Sequence, residues 1–446
     1  MLIERWLARV VAVRPEEVRA LLWSFAYFFC LLAGYYILRP LRDEMGVAGG
    51  VRNLQWLFTA TFLTMLAAVP CYGVLVARVP RRRFIPLVYH FFVANLALFW
   101  LALELGADRA LVARVFFVWI SVFNLFAVSV FWSFMADIYA SEQAKRLYGF
   151  IAAGGSAGAL AGPALTIGLA KLIGVVHLIV VAAALLELAV LCAARLEPKQ
   201  QVVRESTVSL GGGALDGLKM VVRSPYIAGI TLWVAMLSVV ATFLYFEQAA
   251  VVAAASDDPA VRTRIFATVD LAVGVLTLAV QFLATGKLIQ RFGVGPALAL
   301  VPVVFVGGFA VLAAMPVLAV VITFQALQRT ANFAISNPAR EVLFTVLARD
   351  EKYKAKNVID IVAVRGADAA GGWLVAGLRA LGMQARELAV CAIAIAAAGF
   401  ALSLALGRAQ GRRAIVGAAT KTYGGSPWDC GFFSRSSSCS RSGPSA

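Results

Sequence analysis

The chain has 446 residues, of which 61% are hydrophobic and only 14% charged, with a formal net charge of +16. That balance excludes a soluble globular domain, and six cysteines without metal-ligand spacing exclude a zinc module or a disulfide framework. The Lys and Arg residues cluster between apolar runs, where the positive-inside rule places them if both termini are cytoplasmic, so no nucleic-acid partner is expected.

Apolar runs of about 20 residues, the length that crosses a bilayer as a helix, recur along the whole sequence. They fall near 18–41, 54–77, 84–105, 110–136, 146–170, 174–195, 226–252, 264–288, 295–314, 316–347, 357–380 and 386–408. The expected fold is an all-α integral membrane protein with about 12 transmembrane helices in two six-helix halves, 18–195 and 225–408. Residues 1–17 read as an amphipathic cytoplasmic lead-in, 196–224 as a cytoplasmic linker carrying Gly211-Gly212-Gly213, and 409–446 as a disordered tail. The N-terminus does not look like a cleaved signal peptide, so the expected location is an inner (cytoplasmic) membrane, multi-pass.

Charged groups at bilayer depth cost roughly 2.5–3.5 kcal/mol each on insertion scales, so those inside spans should face the protein interior. Span one ends with Tyr35, Arg39 and Arg42 on one helical face, followed by Asp43 and Glu44. Gly73 to Arg83 after span two and Gly286 to Gly293 after span eight share a pattern of glycine, aliphatics and arginine. That match is the internal repeat of a six-plus-six transporter. Span four carries Asn124 and Asp137. Span five carries Gly149, Gly158, Gly162 and Pro163, a spacing that lets helix backbones approach closely.

In the second half Asp270 reads as an isolated carboxylate and hence as a candidate proton or cation site. Further on, Gln325, Gln328, Asn332, Ser336 and Arg340 recur every three or four residues and form one polar stripe on a helix. With Arg329, Glu341, Asp360, Arg365 and Asp368 they outline a solute pathway, or a set of pairs that only holds helices in register. Asp360 and Arg365 are expected to form a pair that breaks and re-forms as the cavity changes side.

Four motifs carry a family likeness: Ile37-Leu38-Arg39 with Arg42-Asp43, Phe131-Trp132 with Glu142, Lys145 and Arg146, Asn337-Pro338-Ala339-Arg340-Glu341, and Lys354 with Lys356-Asn357-Val358-Ile359-Asp360 and Gly371-Gly372. On these the chain, over about 18–405, resembles the ATP/ADP antiporter family of nucleotide transporters, itself related to the major facilitator superfamily. The two histidines, His90 and His177, lie far apart in sequence and no nucleophile–base or metal-ligand spacing appears, so an enzyme is not expected and neither is a cofactor or metal. Arg42 and Arg340 stand where that family sets lysines against the nucleotide, and a guanidinium fork replaces a point charge. The family's acids in spans four and seven have no counterpart at mid-span here; Asn124 and Glu247 stand nearby.

The expected function is therefore a secondary transporter that exchanges an organic anion, a nucleotide or other phosphorylated compound, as a monomer in the lipid bilayer. Substrate contacts are expected from Arg39, Arg42, Asn124, Asn332 and Arg340. Coupling or gating is expected from Asp137, Asp270, Glu341, Asp360, Arg365 and Asp368. The competing readings are a proton-coupled exporter of drugs or metabolites, and a membrane scaffold or sensor that does not transport.

Overall fold

The computed structural model describes residues 13–78, 81–196, 214–348, 351–352, 355–356 and 358–423, with side chains described except at 72–78, 81–84, 141, 214–218 and 416–423. The lead-in as far as residue 12, most of the 196–224 linker, Lys354 and Asn357 of the fourth motif, and the tail from residue 424 lie outside the described residues. So do the side chains of the Gly73 to Arg83 repeat.

The described chain is helical throughout. The first half holds α1 (Pro15–Ala48), α2 (Leu54–Arg78), α3 (Arg81–Glu104), α4 (Arg109–Ile138), α5 (Ser141–Leu169) and α6 (Leu178–Ala194). A short amphipathic helix, Ala214–Arg223, precedes the second half. That half holds α7 (Pro225–Ala255), α8 (Pro259–Phe292) and α9 (Val294–Ala314). It continues with α10 (Leu318–Ala331, extended by Asn332–Ser336 and Asn337–Leu343), α11 (Val358–Ala363 running into Val364–Ala380) and α12 (Ala385–Tyr423). Among the described residues, nine of these helices are long and apolar enough to cross a membrane. The short α6 and the interrupted α10 and α11 complete the two sets of six.

Local chemistry sets the helix starts. Pro15, Pro225 and Pro259 each open a helix, where a missing N–H costs nothing. The Asp108 and Asp258 carboxylates accept from the backbone N–H groups of Ala110 and Ala260 at 2.9 and 2.8 Å. Gly293, at φ 82°, makes the sharp reversal between α8 and α9.

Each half has its own core. The first is built around Tyr27, Phe28, Phe123 and Phe131. The second, around Phe243, Phe305 and Phe309, also takes in Val47, Leu54, Leu57 and Phe117 from the first half, so the halves are fused through the C-terminal end of α1 and the start of α2. This is the closed end of the molecule. There the Trp373 indole N–H donates to Thr59 Oγ1 at 3.0 Å, and Trp56 meets Trp373 edge-on at 4.7 Å.

Two features differ from the sequence expectation. α12 continues past Arg408 to Tyr423, so residues 409–423 are helix rather than tail. Three π turns interrupt the second half, at Gln281–Thr285, Asn332–Ser336 and Val358–Ala363. The first two are cross-bonded: Thr285 Oγ1 donates to the Ala334 carbonyl at 2.8 Å, and Gln281 to that of Phe333 at 3.4 Å. Each π turn inserts an extra residue and rotates the later side chains by roughly 100° about the helix axis.

Candidate functional site

α1 is the spine of the site, because α5 packs flush against it. A Cβ at Gly154 would lie 2.5 Å from the Phe25 carbonyl, and one at Gly162 would lie 2.7 Å from that of Ala33. Gly158 sits as tightly on Phe29. Gly149 meets nothing within 4 Å, so the seam is Gly154, Gly155, Gly158 and Gly162, followed by Pro163 inside α5. Tyr36 lies in the seam itself, against Gly162, and the neighbouring face of α1, with Arg39 and Arg42, turns to the second half.

Two small cavities lie against that face. The first, about 170 Å³, is lined by Arg42, Thr61 and Ser121 from the first half and by Thr242, Tyr245, Arg365 and Asp368 from α7 and α11. Its charges are internally balanced. Arg42 Nη2 lies 2.6 Å from Asp43 Oδ1, which also accepts from the Tyr245 hydroxyl at 3.1 Å, and Arg365 Nη1 lies 3.3 Å from Asp368 Oδ2. The Arg42 guanidinium also covers the Phe117 ring at 5.1 Å.

The second cavity, about 220 Å³, is lined by Tyr36 and Ser156 from the first half and by Asp270, Thr277, Gln281 and Arg329 from α8 and α10. Here the balance is uneven. The Asp270 side chain is 1% exposed; Arg329 Nη1 approaches its Oδ1 at 2.6 Å and Arg39 Nη1 at 3.6 Å. Two guanidiniums, one from each half, share a single carboxylate, which leaves one positive charge in surplus. Tyr36 and Arg42, the α1 residues that line the two cavities, are six residues apart, about 9 Å along the helix, with Arg39 between them.

Beyond the cavities, Glu44 is fully buried at the closed end. It receives Arg262 of the second half at 2.8 Å and Arg109 of its own half at 3.9 Å. Among the described residues, the hydrogen bonds and ion pairs that join the halves are Thr59–Trp373, Asp43–Tyr245, Glu44–Arg262 and Arg39–Asp270. All run from the level of Arg39 to the closed end.

Several expected site residues stand elsewhere. Arg340 is not across the cleft from Arg42: it pairs with Asp360 at 3.0 Å and lines neither cavity. The cause is the π turn at Asn332–Ser336, which takes Arg340 out of the stripe begun by Gln325 and Gln328. Asp360 and Arg365 therefore have separate partners, Arg340 and Asp368. Glu341 pairs with Lys356 at 2.8 Å, tying α10 to the approach of α11. Asp270 is not isolated: Arg39 and Arg329 are both its partners. Asn124 and Asn332 are half-buried outside both cavities, and Asp137 is buried at the end of α4. Sequence reading missed Tyr245, and it placed Arg329 inside without a partner; nothing in their spacing indicates which helix they face.

Comparison with known proteins agrees with this architecture. A bacterial homologue of the iron transporter ferroportin, in an inward-facing state, superposes with a TM-score of 0.64 at 11% identity, over 89% of this chain and 100% of that one. The nucleoside transporter NupG gives 0.60 at 14% identity, over 89% and 99%. The xylose transporter XylE from E. coli, inward open, gives 0.57 at 11% identity, over 85% and 95%. No curated protein sequence matches the chain. The family profile described as Major Facilitator Superfamily matches residues 21–354, and with that match the chain belongs to the Major Facilitator Superfamily of membrane transporters.

Proposed function

We propose that this transporter moves an organic anion by alternating access, with Arg39 and Arg329 receiving the anion's charge. The observation that carries this reading is the Asp270 carboxylate, contacted by guanidiniums from both halves at 3.6 and 2.6 Å. A buried charge without a counterion costs several kcal/mol, so the surplus cation favours entry of one more anionic group. A phosphorylated compound or nucleotide is the leading case, since guanidinium forks hold phosphate oxygens in pairs, and the resemblance to the ATP/ADP antiporters points to the same class.

An incoming anion competes with Asp270 for its two partners. The Arg39 contact is the longer one and yields first, while Arg329 and Asp270 stay together in the second half. Loss of that contact removes one of the four polar links between the halves among the described residues, and so favours rocking about the site. In the empty carrier Asp270 holds Arg39 again, which slows reorientation and favours exchange over net flux. The Arg340–Asp360 and Glu341–Lys356 pairs lie outside the cavities and would act as gating contacts between α10 and α11. The reading as a proton-coupled exporter rests on the glycine spacing of α5 and on Asp270; the two arginines weaken the second ground, because the carboxylate is not isolated.

The test is counterflow in proteoliposomes, with nucleoside phosphates, sugar phosphates and carboxylates offered on both sides. Anion-driven uptake should disappear in Arg329→Gln and persist in Arg340→Gln. Equal flux with and without internal substrate would remove the exchange step. Loss in Arg340→Gln alone would return the anion site to the position expected from the sequence.

A further inference from the structure

A third cavity lies outside the transport cleft, on the outer face of the first half. It measures about 850 Å³, inside the roughly 300–1,000 Å³ range of ligand sites, and runs between α2 and α4 with α3 at its side. Ala60, Ala68 and Phe126 typify its lining, and Arg114 is the one charged residue there.

Its dimensions and its charge point to the same occupant. From Arg114 to Phe126 the crevice follows α4 for about 18 Å at ~1.5 Å per residue. That is slightly more than the hydrocarbon depth of one leaflet, half of ~30 Å. Arg114 marks the end of the crevice nearest the closed end, where its Cγ lies 3.6 Å from the space beside Gly49. Trp56, 58% exposed, lines the same end, at the level where tryptophan and arginine meet lipid headgroups. Arg114 and Arg52, the latter in the turn that leads into α2, are both exposed, and neither forms an ion pair among the described residues. Arg109 and Arg262, by contrast, are taken up by Glu44. An apolar slot one leaflet deep with unneutralised arginines at its mouth fits an acyl chain carrying a negative head.

We propose that this crevice seats an anionic phospholipid from the leaflet at the closed end, with its phosphate on Arg114 and an acyl chain between α2 and α4. The assignment is independent of the transported solute. It also gives Trp56 two neighbours: the lipid in the crevice and, edge-on, Trp373 of the other half.

The experiment is native mass spectrometry of the full chain in detergent, titrated with phosphatidylglycerol, phosphatidylcholine or inorganic phosphate. Phosphatidylglycerol should be retained about tenfold more tightly than phosphatidylcholine. Arg114→Gln, a change at an exposed position, should erase most of that preference while apolar retention persists. Ala68→Phe, which fills the crevice, should weaken retention of both lipids several-fold. Equal retention by wild type and Ala68→Phe, or an undiminished headgroup preference in Arg114→Gln, would overturn the proposal. So would displacement of the lipid by equimolar inorganic phosphate, which would mark a site for free anions instead.

Discussion

Replacing Asp270 with asparagine would keep its shape and leave the Arg39 and Arg329 guanidiniums, 18% and 15% exposed, without a counterion. Removing one partner of a buried pair costs about 3–5 kcal/mol, and the residual exposure of the arginines puts the expectation near the lower figure. Arg329→Gln added to Asp270→Asn should recover part of the loss, because it removes one of the stranded charges. Unfolding of the detergent-solubilised protein checks this, and strictly additive losses would mean that the two residues do not interact. Arg340→Gln is a contrast: its partner Asp360 is 45% exposed, so the change should stay within about 1 kcal/mol. The sequence made Arg39, Asp270 and Arg329 legible as residues too expensive to face lipid. It did not make the triad legible, because hydropathy says that a charge must turn inward and is silent on which distant helix supplies its partner. Family likeness joins Arg42 with Arg340, and one π turn separates them.

Among elements, α1 and α5 make the tightest seam around the site, and its glycines separate cleanly by what a methyl group would meet. Gly158→Ala would drive its Cβ into the Phe29 carbonyl and the Ala33 amide, both backbone atoms that cannot step aside. The expected result is a loss of roughly 1–3 kcal/mol, as for overpacking elsewhere. Gly149→Ala meets nothing within 4 Å and should be neutral, or stabilising by roughly 0.5–1 kcal/mol through helix propensity. Thermal unfolding of the two variants side by side settles the matter, and equal shifts would mean that α5 does not lie against α1 here. Hydropathy located the twelve helices, nine of them, among the described residues, long and apolar enough to cross a membrane, since a long apolar run declares itself without reference to partners. The π turns escaped because an added residue leaves hydropathy unchanged, although it turns each later side chain to a new face. The glycine spacing announced a close seam, but only packing distinguishes the glycine that touches a neighbour from the one that does not.

For the whole molecule, the contacts between the halves are unevenly spread, and that sets which end opens. Glu44 is the centre of the closed end: it is wholly buried, and its strongest partner, Arg262, comes from the other half at 2.8 Å. Opening this end must separate Arg262 from Glu44, while Arg109, in the same half as Glu44, stays within reach at 3.9 Å. Glu44→Gln deletes the charge that draws the halves together and leaves Arg262 buried beside a neutral group, a cost that only opening to water relieves. Each 1.4 kcal/mol taken from the closed form raises the open population tenfold while it remains the minor state. The readout is labelling of Ser121→Cys, which lines the first cavity, by a membrane-impermeant thiol reagent added from the closed-end side, with the exposed Cys71 replaced by serine. Labelling should rise about tenfold in Glu44→Gln, whereas the charge swap Glu44→Arg with Arg262→Glu should hold it nearer the starting rate. Unchanged labelling in Glu44→Gln would mean that the aromatic contact of Trp56 with Trp373 closes this end without help from the ion pair.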